Sequence, residues 1–382
     1  MLPPLYAGWM DELLGAPIPE EREAACETCV MRQPAGAPPE PGAVYFTEGK
    51  CCTYQPQLHC FLMGRILADG AADLVVARAA VERLLDARAG VTPLGIMGPR
   101  SYWALYDYGT GFGRSSRLRC PLFDVSTGRC GVWRHRESTC ATWFCKHDRG
   151  AVGEAFWTAL HQLLMQLERS LARWCMVELA VGTEALAAAS ARELSAGPPD
   201  TEDLDGGASA ERYRRAWGRW LGREREYYRE CAGRVDGLAW PEVLALGGAE
   251  ARALAEVARR RFEELRSHEL PGSPLRIGRF EVASVASGFA RLRSYRDFDP
   301  VDVPLPLLAA LPRFDGRPTE QVAREIAERD GVEIPTPVLR TLADFKVLVP
   351  EGSRTASDRG DDPRCGEGVD EERGFSLAPV KK

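Results

Sequence analysis

A mainly helical chain with a small α+β module near its C-terminus is predicted by three observations. Apolar residues recur at helical spacing through most of residues 57–88 and 151–267. Phe280–Tyr295 instead alternates in the manner of strands. Nine of the twelve cysteines lie between Cys26 and Cys145, and residues 91–150 show little periodicity, so order there is expected to come from bound metal rather than from a large apolar core. The expected organisation is a cysteine-rich metal-binding domain over residues 1–150 and a helical region over 151–270. A winged-helix-like module over 275–350 and a polar tail over 351–382 follow, the tail expected to be disordered.

Composition narrows the function classes. At 382 residues the chain is long enough to bury a sizeable core. A net charge of −6 lacks the basic excess of a nucleic-acid binder, so nucleic acid is not an expected partner. No apolar run approaches the roughly 20 residues needed to span a bilayer. The opening MLPPLYAGWMDELLGAP has neither a basic start nor an apolar core, so no secretory signal is expected and the expected location is cytoplasmic.

Taken in order, the Pro- and Gly-rich residues 32–43 read as a loop. Leu58, Leu62 and Ile66, then Leu74, Val75, Ala79, Leu84 and Leu85, predict two helices broken at Asp69-Gly70, with Gly90 as a C-terminal cap. Phe156, Leu160, Leu163, Leu164, Leu167 and Leu171 share one face of a third helix, in which Cys175 reads as a small core residue. Residues 197–209 form a polar linker. Helices are expected near 210–232 and 249–267, the first packing with Trp217, Trp220, Tyr227 and Tyr228. The C-terminal module shows a turn at Phe314-Asp315-Gly316, a helix over Thr319–Arg329 with Thr319 as N-cap, and a strand ending at Val347–Val349.

The cysteines carry the chemistry. They read Cys26-x-x-Cys29, Cys51-Cys52 and Cys60, then Cys120, Cys130 and Cys140-x4-Cys145. A CxxC turn lets two thiolates converge on one ion, and four such sulfurs satisfy zinc or an iron–sulfur cluster. The adjacent pair Cys51-Cys52 argues against disulfides, because neighbouring Cα atoms lie ~3.8 Å apart and a relaxed bridge needs ~4.4–6.8 Å. Residues 114–149 hold Arg114, Arg117, Arg119, Arg129, Arg134, Arg136, Lys146 and Arg149 against Asp124, Glu137 and Asp148, a basic stretch suited to offsetting thiolate charge. The expected ligands are Cys26, Cys29, Cys51, Cys52, Cys120, Cys130, Cys140 and Cys145. Cys60, His59, His135 and His147 are further candidates.

The run from Cys120 to Cys145, C-P-L-F-D-x4-R-C-x9-C-x4-C, resembles the second half of the YkgJ-like CxxCxxCC cysteine-cluster proteins, and Cys26, Cys29, Cys51 and Cys52 resemble the first half. The likeness covers roughly residues 26–150 and implies zinc or iron chelation, the cluster form being 4Fe-4S. Flagellin lysine methylases carry a related cluster, which implies a protein-modifying enzyme as the alternative to redox or metal handling. A third alternative is an adaptor merely stapled by zinc. Two departures stand out. Twenty-one residues separate Cys29 from Cys51, and Arg136-Glu137 stands where the family has Arg-Pro.

Residues from Leu305 through Phe314-Asp-Gly-Arg-Pro-Thr to Val349 resemble PqqD-type winged-helix domains. That likeness implies a peptide or protein substrate taken by strand addition. Gly109-Thr-Gly-Phe-Gly113 superficially matches a nucleotide loop but lacks the apolar strand that should precede it, so it reads as a flexible lead-in to Cys120. No GxSxG, HExxH or P-loop occurs, and no catalytic residue is assigned.

Overall fold

A computed structural model describes residues 2–21, 29, 31, 50–107, 112–183, 185–187, 210–272 and 274–352, except the side chains of residues 100 and 107. Cys26, Cys365, the 32–43 loop, Gly109–Gly111, the 197–209 linker and the tail from residue 353 lie outside these residues. The chain forms two compact units. One comprises Met1–Cys145 with Ala155–Leu265, the other Lys146–Glu154 with Arg266–Lys382. Helices predominate, as the periodicity predicts.

In the first unit, α1 (Pro4–Leu14) starts on a proline, which needs no N–H there, and ends at Gly15 in the left-handed region. It buries Tyr6, Trp9, Met10 and Leu13, one face of a 3.6-residue repeat. Helices α2 (Cys60–Ala68) and α3 (Val75–Asp86) flank the predicted break at Asp69-Gly70. Gly90 is not the cap of α3. Ala87 caps it, and Gly90 is needed because a Cβ there would lie 2.1 Å from the Met97 carbonyl oxygen. That close approach closes a small antiparallel sheet in the order β1-β3-β2, with β1 Leu58–His59, β2 Val91–Thr92 and β3 Gly95–Ile96. Next come α4 (Arg100–Asp107), the hairpin β4 (Phe123–Asp124) and β5 (Arg129–Cys130), and α5 (Ser138–Thr142). The segment preceding the glycine run is thus helical, not a strand.

Helix α6 (Gly150–Glu178) buries Phe156, Leu160, Leu163, Leu164, Leu167 and Leu171 as predicted. The unit is completed by α7 (Ala210–Trp217), α8 (Glu224–Asp236), α9 (Trp240–Leu246) and α10 (Gly248–Arg266). Trp217, Trp220, Tyr227 and Tyr228 are buried against one another, Trp217 meeting Tyr227 and Tyr228 edge-on, so the aromatic stripe is packing. Helix α2 is buried almost all round and lies against α8. Gly64 makes the approach feasible, since any Cβ would meet the Tyr228 carbonyl oxygen at 1.8 Å.

The second unit pairs β6 (Leu275–Ile277) with β10 (Leu348–Pro350) and lays β7 (Glu281–Ala286), β8 (Phe289–Arg293) and β9 (Val301–Pro304) in one antiparallel sheet. Helices α11 (Leu305–Ala310), α12 (Thr319–Asp330) and α13 (Thr336–Asp344) complete it. Its core gathers Leu275, Leu292, Leu311, Phe314, Val322, Ile326, Leu342 and Val347. Thr319 does not cap α12. Pro318 holds that position, and the Thr319 hydroxyl accepts from the Leu275 N–H at 2.9 Å, joining the helix to β6.

Buried Asp344 accepts from Arg149 and from Arg340, the latter at 2.8 Å. Removing the carboxylate takes from both guanidinium groups their shared charged partner. Asp344→Ala is therefore expected to destabilise this unit by about 3–5 kcal/mol, read as a lowered urea midpoint at unchanged slope. A midpoint equal to that of the wild type would refute this role.

Candidate metal centre

Lys50 takes a left-handed backbone (φ 51°) and starts a single turn over Cys51–Thr53. Thr53 anchors that turn. Its hydroxyl accepts from the Gly113 N–H at 2.6 Å, and its carbonyl accepts from the Tyr102 hydroxyl at 2.8 Å. The Cys52 carbonyl accepts from the Cys120 N–H at 2.7 Å, and the Lys50 ammonium donates to the Gly128 carbonyl at 2.9 Å in the β4–β5 turn. Cys130 sits across from Phe123 in that hairpin. Cys140 lies in α5, whose first N–H groups donate to the Glu137 carboxylate from Thr139 at 2.7 Å and from Cys140 at 2.8 Å. Cys51, Cys52, Cys120, Cys130 and Cys140, far apart in sequence, are drawn into one neighbourhood.

Their titration reflects that proximity. Burial pushes the Cys120 thiol up to about 12, with the nearby Cys130 adding to the rise. Burial raises Cys140 well above the usual thiol range, as do the charges of Glu137, Cys130 and Cys120. Hydrogen bonding with Cys52, then burial, raises Cys51. None of the described cysteines is in a disulfide.

Cys29 and Cys145 are half-buried, and Cys26 lies outside the described residues. Of the histidine candidates, His135 and His147 have other partners. His135 Nε2 lies 2.9 Å from the Asp69 carboxylate, and burial lowers its pKa. His147 Nδ1 lies 3.4 Å from the Tyr295 hydroxyl and 3.8 Å from Asp299. Buried His59 has its pKa depressed to about 3 by desolvation, and its Nδ1 is 3.7 Å from Glu168 without a hydrogen-bond partner. The basic stretch is partly consumed by the fold. Arg134 faces Asp69 and Asp73, Arg136 donates to the Cys140 carbonyl at 3.1 Å, and Arg149 pairs with Asp344.

A tighter set of sulfurs is elsewhere. Cys60, Cys175 and Cys231 have sulfurs all within 4.8 Å of one another, each fully buried. Among the described residues this is the group of three or more ligating side chains placed to hold a metal ion. Cys60 opens α2, Cys175 ends the apolar face of α6 four residues beyond Leu171, and Cys231 follows Tyr227 by one turn of α8. The Cys175 thiol donates to the Cys231 carbonyl at 3.9 Å. Bonds from Cys231 and Cys60 lower the Cys175 pKa, while burial raises Cys60 and Cys231.

The sequence marks Cys60 alone of these as a candidate ligand, Cys175 reading as a small core residue and Cys231 lying apart from the cysteine-rich segment. The available signal was that Cys175 and Cys231 both fall on apolar helical stripes. That spacing shows that they face a core, not which other residues they meet there. The described helices contain none long and apolar enough to cross a membrane. Comparison of the chain with family models, with curated proteins and with solved structures finds no match, which leaves the thiol geometry as the evidence about function.

Proposed function

We propose that this chain is a thiolate metalloprotein. Its N-terminal cysteines, Cys51, Cys52, Cys120, Cys130 and Cys140 with Cys26, Cys29 and Cys145, would hold a metal centre of the YkgJ-like kind. The observation that carries the reading is the Cys120 N–H bond to the Cys52 carbonyl, which ties the two halves of the cysteine pattern together. The mutual influence of Cys120, Cys130 and Cys140 supports it.

The donors are soft sulfurs, partly or wholly removed from water, which suits zinc or iron–sulfur chemistry. Bound at these thiolates, a 4Fe-4S cluster would supply one-electron chemistry. The protein's part would be to exclude water around Cys120 and to fix Cys140 by capping its helix with Glu137. In this reading the second unit takes a peptide or protein partner by strand addition. Strand β7 is an edge of its sheet and exposes Val282 and Val285.

Anaerobic purification followed by visible absorption and by iron, sulfide and zinc analysis tests this. The wild type is expected to be brown and to carry iron with inorganic sulfide. Cys120→Ala and Cys140→Ala should each lose most of both, while Cys175→Ala should retain them. Colourless protein carrying zinc would refute the iron–sulfur form, and protein free of both metals would refute the reading.

A further inference from the structure

We propose that Cys60, Cys175 and Cys231 form a second, separate metal site in the helical core, one that takes a soft univalent ion such as Cu(I) in three-coordinate sulfur geometry. Three sulfurs in a plane around an ion at a metal–sulfur distance of ~2.3 Å stand ~4.0 Å apart. The observed set, all within 4.8 Å, needs only a small inward adjustment to reach that spacing.

The sulfurs come from three different helices, and each is wholly removed from solvent. Their scaffold is fixed independently of any ion. The Cys60 N–H donates to the Leu94 carbonyl at 2.8 Å. The Tyr227 and Tyr228 hydroxyls donate to the Pro93 and Thr92 carbonyls, at 3.0 and 2.7 Å, tying α8 to the same β2–β3 turn. Gly64 brings α2 and α8 close enough for Cys60 and Cys231 to meet. The arrangement is thus preorganised, as a selective site requires.

The donor count decides the ion. Zinc in proteins takes four ligands, and among the described residues this group has three. The adjacent Tyr227 hydroxyl is already committed to Pro93. With no water-accessible surface on any sulfur, a fourth ligand from solvent has no route that the packed helices provide. By softness thiolates suit Cu(I) as well as zinc and iron–sulfur clusters, so the three-donor count is what favours Cu(I) here. Binding replaces thiol protons by the ion and releases them to solvent, leaving a buried anionic complex. Of the charges that reach Cys175, Arg234 favours the anionic form and Glu178, paired with Arg234 at 3.3 Å, opposes it.

The test uses the full chain, reduced and anaerobic, refolded with Cu(I) in the presence of a competing chelator so that weak sites stay empty. Copper-edge X-ray absorption then counts sulfur neighbours. In Cys120→Ala, where the N-terminal centre is damaged, one copper per chain with three sulfur neighbours is expected to remain. In Cys175→Ala and Cys231→Ala the retained copper should fall at least tenfold, and the thermal stabilisation that copper gives the parent should vanish. No copper retained in Cys120→Ala, a two- or four-sulfur environment there, or unchanged retention in the folded core variants would each overturn the proposal. Because the decisive reading is made in Cys120→Ala, it holds even where the core variants fail to fold. Loss of the brown N-terminal signal without loss of this copper would separate the two centres.

Discussion

Gly64→Ala is expected to destabilise the first unit by about 3 kcal/mol or more, at the top of the usual range for overpacking. For a unit of this size that corresponds to a fall of roughly 6–12 °C in melting temperature. The new methyl carbon would lie 1.8 Å from the Tyr228 carbonyl oxygen, 2.6 Å from its carbon and 2.8 Å from the Ala232 Cβ. Two of these are backbone atoms in the middle of α8, so no side chain can rotate away and the helices must separate. Cys60 is one turn before Gly64 and Cys231 three residues beyond Tyr228, so separation also pulls the buried sulfurs apart. Gly64→Ala is therefore expected to lose the three-sulfur copper signal along with stability. Gly8→Ala is the control. It lies in α1 with nothing within 4 Å of its added Cβ, and alanine is the better helix former by up to ~1 kcal/mol. Equal melting temperatures for Gly64→Ala and the wild type would show that the two helices do not pack as described.

Glu168→Gln should change how stability depends on pH. Glu168 is 1% exposed and accepts from the Ser138 N–H at 2.7 Å, from the Ser138 hydroxyl at 2.6 Å and from the Tyr6 hydroxyl. Burial and the charge of Glu137 raise its pKa to about 8 from an ordinary 4.5. Between those two values the folded protein keeps a proton that the unfolded chain has lost, so stability falls as pH rises through this window. Below it both states are protonated, and above it both are ionised. Glutamine cannot ionise, and its amide can donate toward the unsatisfied His59 Nδ1, 3.7 Å from the present carboxylate. The variant is expected to match the wild type near pH 4.5 and to exceed it by a few kcal/mol above pH 8, since each unit of pKa difference is worth ~1.4 kcal/mol. Urea midpoints measured from pH 4.5 to 9 decide this. Parallel curves for the two proteins would mean that Glu168 is not the group that titrates.

Much of the fold is legible in the sequence alone. The stripe from Phe156 to Leu171 forms one long helix, the break at Asp69-Gly70 separates α2 from α3, and the Trp217–Tyr228 aromatics pack. These features follow from short-range spacing, which sequence displays directly. Features governed by atoms distant in sequence were misread. Thr319 resembled a cap because threonine often is one, yet its hydroxyl serves the Leu275 amide forty-four residues away. Gly90 resembled a helix stop, whereas the Met97 carbonyl is what excludes a side chain there.

The cysteines divide along the same line. Reading the chain alone was enough to mark residues 26–145 as thiol-rich and unsuited to disulfides, because adjacency at Cys51-Cys52 is a covalent fact. Only the tertiary structure could bring Cys60, Cys175 and Cys231 together. Helical spacing says which face of a helix turns inward, but the partner it meets there depends on how three helices cross, and Gly64 against Tyr228 settles that crossing.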